Sequence, residues 1–469
     1  MSLNLKPEKV FHFFEEMSKI PRTSGNEKAI SDWLVAFGKE RGLETIQDEA
    51  LNVIIKKPGT KGYEDKAPVI IQGHMDMVGE KTAESAHNFE TDPIQLRVID
   101  EHLYATDTTL GGDNGIAVAM GMAVLDSDDL EHPPIELLVT TNEEVGMDGA
   151  AAVDPAHLAG TRLLNIDSEE EGIFFVSCAG GNVTKVTFSP TFREVKETGY
   201  ELRIFGLLGG HSGMEIIKQR GNAVQLLGRA LKEIGSLTLS EISGGAKHNA
   251  IPRDARAVFT AQNLDMAAVK SFCLDVFGRE FQEDPIQCEI REVEVSRLMD
   301  ETTSQAIVDY LVIMPDGVQS MMKTMENMVE SSLNSGVLEM KDDQVIITHA
   351  IRSSSPTRKK QVTQKVETLA KAMGAKAEAF SDYPEWEYEP NSQLKDTCLS
   401  VYEKVTGKAG EIMAIHAGLE CGLLKQKLPN TEMISFGPDM ADVHTPNEHL
   451  SIKSVERTWE FMKELLKSL

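Results

Sequence analysis

Short apolar runs alternate with amphipathic stretches along the first third of the chain. The spacing predicts helices over residues 7–14 and 26–38, the second presenting Ile30, Trp33, Leu34 and Phe37 on one face. Apolar runs bounded by turn residues predict buried strands at 52–56, 69–72, 135–140 and 162–166, with a helix over 114–125 between the second and third. Continuous apolar strands alternating with helices predict an α/β domain whose mixed, largely parallel sheet is flanked by helices.

From about residue 182 the pattern changes. Strand-like segments at 200–205, 254–260 and 287–294 flank helical patterns at 221–234 and 266–281, and a second round follows with 344–353, 356–373 and 376–383. This βαβ-like content predicts an inserted α+β lid domain, for which two related halves are expected. The segment SDYPEWEYEPNSQ, residues 381–393, reads as the chain crossing back, after which helices at 394–406 and 452–469 and a strand at 431–436 resume the first pattern. The expected organisation is therefore a discontinuous catalytic domain, 1–181 and 385–469, with the lid domain at 182–384.

Composition narrows the chemistry. With 41% apolar and 26% charged residues among 469, the chain has the balance of a soluble globular protein, and no apolar run is long enough to span a membrane. Its first residues lack a secretory pattern, so the cytoplasm is the expected location. The five cysteines have no paired spacing, which leaves His and carboxylate groups to hold any metal. A net charge of −27 opposes phosphate-backbone binding, so no nucleic acid partner is expected, and no membrane partner either.

Five polar clusters stand where strand-like runs end: His74-Met75-Asp76, Gly111-Gly112-Asp113-Asn114, Glu143-Glu144, Asp167 and His444. In open α/β sheets such ends converge on one crevice. Imidazole with carboxylate suits zinc, manganese or cobalt. Each cluster alone also fits a plainer role: a structural histidine, a solvated acidic turn, or a turn-forming aspartate. Their joint order is what carries the functional reading.

The motifs HMDMV, TLGGDNG, TNEEVGMDGA, LNIDSEE and VHTPNEHL resemble the ordered metal motifs of the M20 metallopeptidases, essentially end to end. IQGHMDMV, GGHSGMEI, IRSS and AIHAGLECG resemble most the bacterial aminoacyl-histidine (Xaa-His) dipeptidase branch, also called peptidase D. The resemblance implies two divalent cations per chain, zinc first and cobalt or manganese as alternatives. His74 and Asp167 would serve one site, Glu144 and His444 the other, and Asp113 would bridge them. For the second histidine, His449 is a close neighbour of His444 in the sequence. Asp76 would orient the His74 imidazole, and Glu143 would act as general base to a metal-activated hydroxide. A cis peptide is implied between Asp113 and Asn114.

The same resemblance assigns lid residues. His211 in GGHSGMEI and Asn249 in KHNAIPRDA would support the tetrahedral oxyanion, with His211 acting within its own chain or across an expected homodimer. Arg352 would grip the substrate's terminal carboxylate. His416 and Glu420 in AIHAGLECG would line the substrate cleft, Glu420 holding the free amino group. Together these imply a dinuclear dipeptidase for short peptides, mainly Xaa-His and related dipeptides. The alternatives are a tripeptidase, an N-acyl-amino-acid deacylase, or an inactive peptide-binding relative.

Overall fold

The computed structural model describes residues 3–469, which divide into two compact units. The first comprises the chain up to Ser177 with Tyr388–Ala414 and Leu419–Leu469; the second comprises Cys178–Glu387 with Ile415–Gly418. Residues 415–418, placed by sequence in the catalytic domain, thus pack with the second unit.

The first unit is built on an eight-stranded sheet in the order Glu44–Gln47, Val53–Lys57, Ile135–Thr140, Val69–His74, Arg162–Asn165, Glu432–Ser435, Ile173–Cys178, Glu411–Ile415. Its centre is parallel: Val69–His74 lies between Ile135–Thr140 and Arg162–Asn165, and Glu432–Ser435 continues in the same sense. The margins Glu44–Gln47, Val53–Lys57 and Ile173–Cys178 are antiparallel. Every residue of Val69–His74 and Ile135–Thr140 is buried, as a sheet covered on both faces requires. Helix Gly112–Leu125, apolar around its circumference, is buried from Asn114 onward and packs on Val69–His74. A four-stranded antiparallel sheet joins Met440–Ala441, His449–Ser451, His102–Ala105 and Leu96–Ile99, and His444 sits in its 441–449 connection.

The second unit is a nine-stranded sheet in which every described pairing is antiparallel, so its βαβ-like sequence content does not produce parallel strands. One group of strands is Gln287–Met299, Phe192–Phe205, Ala255–Ala261 and Leu237–Gly245; the other is Val329–Lys341, Gln344–Ser353, Gly180–Phe188 and Lys376–Tyr383, with the short Gly317–Met321 also paired to Val329–Lys341. The groups meet only where Gly244 and Gly245 pair with Leu338 and Val337. Helices Ala223–Ile234, Glu301–Ile313 and Pro356–Ala372 pack on one face around a core that includes Phe188, Leu227, Phe259, Leu311, Ile347 and Val366. Ala223–Ile234 starts where the Asn222 side chain accepts from the Val224 and Gln225 N–H groups. The helix expected over 266–281 runs from Met266 to Glu280, widening into a π-helical turn at Cys273–Phe277 that keeps both Cys273 and Phe277 buried.

Candidate metal and substrate sites

The carboxyl ends of the central strands carry the first cluster. His74 is the last residue of its strand and 1% exposed. Gly73 before it leaves room for the helix behind: a Cβ there would lie 2.4 Å from Asn114 Oδ1 and 2.7 Å from Ala117 Cβ. Asn114 uses that room, accepting the His74 N–H at 3.1 Å and donating to Ile166 O at 2.6 Å, which ties the His74 and Asp167 segments together. The peptide between Asp113 and Asn114 is cis.

Asp113 stands between two imidazoles. His74 Nε2 lies 3.1 Å from Asp113 Oδ1 and 3.6 Å from Asp167 Oδ1. His444 Nε2 lies 3.2 Å from Asp113 Oδ2 and 3.0 Å from Glu144 Oε2. Two groups of potential ligand atoms result, His74-Asp113-Asp167 and Asp113-Glu144-His444, sharing Asp113. A third grouping adds Glu143 to His74 and Glu144. His449 faces elsewhere, stacked 4.9 Å from Tyr104 with Nδ1 on Asn447 O. His444 itself adopts a left-handed backbone conformation, φ 61°, uncommon for a residue with a side chain.

The donors are held from behind. His74 Nδ1 faces the Asp76 carbonyl at 3.2 Å and its carboxylate at 3.4 Å, which leaves Nε2 for the cluster. The Asp76 carboxylate, fully buried, also accepts from the N–H groups of Glu143 at 3.1 Å and Glu144 at 3.3 Å and from the Ser24 hydroxyl at 2.8 Å. One side chain therefore sets both the imidazole and the short helix Glu143–Gly146, whose turn separates the two adjacent glutamates.

Electrostatics follow from this crowding. Burial opposes charge on His74, but the carboxylates of Asp113, Asp167 and Asp76 outweigh it and hold the imidazole well above its ordinary pKa. Asp113 and Glu144 raise His444 to about 11. Burial pushes Asp167 up to about 6 and lifts Glu143 well above the usual carboxylate range. The cluster thus gathers more buried carboxylates than the two imidazoles can balance, a donor set suited to divalent cations.

Two further residues complete the cradle, and neither was singled out by sequence reasoning. Glu448, 2% exposed, accepts from four consecutive backbone N–H groups, those of Leu110, Gly111, Gly112 and Asp113, at 2.8, 3.1, 2.8 and 3.3 Å. Arg22, also buried, donates to the carbonyls of Met75, Asp76 and Gly111, and burial lowers it to about 10. The only sequence signal for Glu448 was its place inside VHTPNEHL.

Glu420, expected to meet a substrate amine, is fully buried. Its Oε2 accepts from Gln72 Nε2 at 2.5 Å and Thr140 Oγ1 at 2.7 Å, and burial pushes it up to about 7. Its Oε1 is buried without a hydrogen-bond partner among the described residues, and the charges of His74 and Asp167 act on it.

The remaining candidates belong to the second unit. The short pairing of Gly210–His211 with Ala250–Ile251, and the bond from Ser212 N to Asn249 O, bring the His211 and Asn249 loops together. Asn334 pins the latter loop by donating to His248 O and Ala250 O, both at 2.9 Å. His211 Nδ1 accepts from the N–H groups of Gly213 and Met214, so its proton resides on Nε2. Burial and the Arg352 charge lower its pKa, keeping the ring neutral. His416 is buried against Ser332 Oγ at 2.7 Å, and burial together with Arg352 lowers it to about 3. Arg352 Nη1 donates to Tyr383 Oη at 2.9 Å. Sequence alone places Tyr383 at the end of the 376–383 strand and in the return crossing, and gives it no functional role.

Among the described residues no helix is long and apolar enough to cross a membrane. Residues 70–468 match the profile of peptidase family M20/M25/M40. The cytosol non-specific dipeptidase of Escherichia coli (strain K12) is 37% identical over 486 residues, 99% of this chain and 98% of that protein. The crystal structure of aminoacylhistidine dipeptidase from Vibrio alginolyticus superposes with a TM-score of 0.91 at 36% identity, covering 100% of this chain and 98% of that one. Aminopeptidase PepT from Bacillus cereus shares the fold at a TM-score of 0.57 and 15% identity, over 99% of this chain and 98% of that one.

Proposed function

We propose, from the premise that this chain belongs to peptidase family M20/M25/M40, that it is a cytosolic metallodipeptidase hydrolysing Xaa-His and related dipeptides. The observation that carries the metal reading is Asp113 held between His74 and His444, each imidazole backed by a further carboxylate. His74, Asp113 and Asp167 would hold one divalent cation and Asp113, Glu144 and His444 the other, zinc being favoured by the imidazole and carboxylate donors. Bound there, the cations would lower the pKa of a water and polarise the scissile carbonyl.

The rest falls to the chain's own side chains. Asp76 fixes His74 with Nε2 toward the cluster and aims the Glu143–Glu144 turn. The Glu143 carboxylate takes the proton of the attacking water and delivers it to the leaving amine nitrogen; burial raises its pKa above the ordinary carboxylate range, which strengthens it as a proton acceptor. In the second unit the His211 Nε2–H is the donor available to a tetrahedral oxyanion, with the Asn249 amide as a second donor. Arg352 grips the substrate's terminal carboxylate, which restricts substrates to short peptides, and His416 flanks it.

The test combines metal analysis with a peptide panel on one preparation. Wild-type protein should carry two divalent ions and cleave Xaa-His dipeptides in preference to tripeptides and N-acyl amino acids. Glu143→Ala should keep its metal while kcat falls roughly 100- to 10,000-fold. Substantial turnover remaining in that variant would refute the assignment of the base.

A further inference from the structure

The register of the second sheet sets three polar side chains in a row across four strands. Ser332 pairs with Arg352, Arg352 with Gly181, and Gly181 with Tyr383. Directly opposed residues share a face, so Ser332, Arg352 and Tyr383 project from the same side of the sheet. Gly181 is the gap between the last two. A Cβ at that position would lie 2.7 Å from Tyr383 Oη and 2.9 Å from its Cζ, so the phenol reaches Arg352 only because residue 181 has no side chain. The other end of the tyrosine is fixed as well, since Lys359 Nζ donates to Tyr383 O at 2.8 Å and pairs with Glu385 at 2.9 Å.

Two valences around Arg352 are left open. Among the described residues no carboxylate lies in ion-pair range of its guanidinium, although Arg256, Arg291 and Arg297, on other strands of the same sheet, are each paired with an acid. Tyr383 Oη accepts the Arg352 N–H, and its own hydrogen has no acceptor among the described residues. Burial raises the Tyr383 pKa, so that hydrogen stays in place at neutral pH. On the other side of Arg352, His416 is neutral and already engaged by Ser332. An unpaired guanidinium beside a phenol with a free hydrogen is complementary to one small anion with two acceptor oxygens.

We propose that Tyr383 is a substrate-binding residue whose hydroxyl donates to the terminal carboxylate held by Arg352, with Gly181 as the gap that permits it. The proposal rests on the reading of Arg352 as the carboxylate grip. It makes carboxylate recognition a two-residue device that favours a free acid over a C-terminal amide, since an amide offers one acceptor oxygen and a misdirected NH₂ group. Arg352 supplies the charge. Tyr383 supplies a directional donor that a charge alone lacks.

The experiment compares kcat/KM for an Xaa-His dipeptide and its C-terminal amide in the metal-loaded wild type, Tyr383→Phe and Arg352→Met. A hydrogen bond to a charged group carries roughly a 10- to 100-fold effect. Tyr383→Phe is expected to raise KM for the acid by about that factor with kcat nearly unchanged, to leave the amide unaffected, and so to lower the acid-to-amide ratio. Gly181→Ala, which displaces the phenol without removing it, should shift the ratio in the same direction. An acid-to-amide ratio in Tyr383→Phe equal to that of the wild type, or an equal loss on both substrates, overturns the proposal. The Arg352→Met ratio reports separately on the reading beneath it: an unchanged ratio there refutes the carboxylate grip itself.

Discussion

Removing the Glu448 side chain should loosen the whole metal cradle, although Glu448 is not among the candidate ligands. Its two carboxylate oxygens accept the backbone N–H groups of four consecutive residues, the last being Asp113, at the start of helix Gly112–Leu125. An anion at a helix start is favourably placed, because the first N–H groups have no partner within the helix. In Glu448→Ala those four buried donors lose their acceptor, and each unsatisfied donor costs about 1–3 kcal/mol. Water entering the vacated space and relief of the buried carboxylate's own desolvation offset part of the total. The net loss should be on the order of 3–5 kcal/mol, as for removal of one partner from a buried charged pair. Displacement of Asp113 should also weaken metal binding by roughly 10- to 100-fold. Urea unfolding of metal-loaded and chelator-treated protein measures the first effect, and competition with a chromogenic chelator the second. A Glu448→Ala protein within about 1 kcal/mol of wild type, with unchanged metal retention, would refute the reasoning.

Two other predictions concern the same unit. Asp76→Asn keeps the shape of the side chain but sets an NH₂ group where oxygens now accept two backbone N–H groups; metal affinity should fall roughly 10- to 100-fold in chelator competition, and unchanged affinity would count against the orienting role. Glu420 should make the stability of chelator-treated protein depend on pH. Its folded pKa, about 7, lies above the ordinary value of 4.5, so the stability it contributes is complete below about pH 4.5 and is lost as pH rises through 7. Glu420→Gln, which cannot titrate, should therefore gain on the wild type between pH 5 and pH 8, by an amount on the order of 3 kcal/mol. Parallel unfolding curves for the two proteins across that range would contradict it.

The first unit was largely legible in the sequence because its central strands are mostly apolar. The run at 69–71 is wholly apolar, and the run at 135–140 is broken inside only by Glu136, a buried carboxylate that accepts from the Ala159 and Gly160 N–H groups. The second unit was less legible for the opposite reason. Strand Val329–Lys341 reads VESSLNSGVLEMK, and periodicity cannot identify it because its buried positions include Ser331, Ser332, Asn334 and Ser335. Those residues are polar because they have partners: Ser332 holds His416, Asn334 holds the 248–250 loop, and Ser335 bonds His349. Tyr383 and Glu448 escaped notice for a related reason. Their partners are distant in sequence, and nothing local distinguishes a tyrosine at a strand end, or a glutamate among polar residues, from a solvated one. Glu420 was legible only as part of a glycine-rich motif; that Gln72 and Thr140 would hold one of its oxygens could not be read from the sequence, because both partners lie hundreds of residues away.

The two units divide the chemical problem by charge. The first concentrates buried carboxylates: Asp76, Asp113, Glu144 and Asp167 surround two imidazoles, and Glu448 stands behind them. The second presents a guanidinium without an acidic partner among neutral histidines. An excess of like charge gathered away from solvent is costly, so the buried carboxylates of the first unit call for cations from outside the chain, and the donor set suits divalent ions. On the proposed reading of Arg352 as a carboxylate grip, the half-buried guanidinium of the second unit would take an anion of defined geometry, two acceptor oxygens on one carbon. The two demands are separable by mutation. Asp113→Asn should lower metal retention without changing the acid-to-amide preference per metal-loaded enzyme, whereas Arg352→Met should change that preference and leave metal retention intact; the opposite pattern would contradict the division of charge.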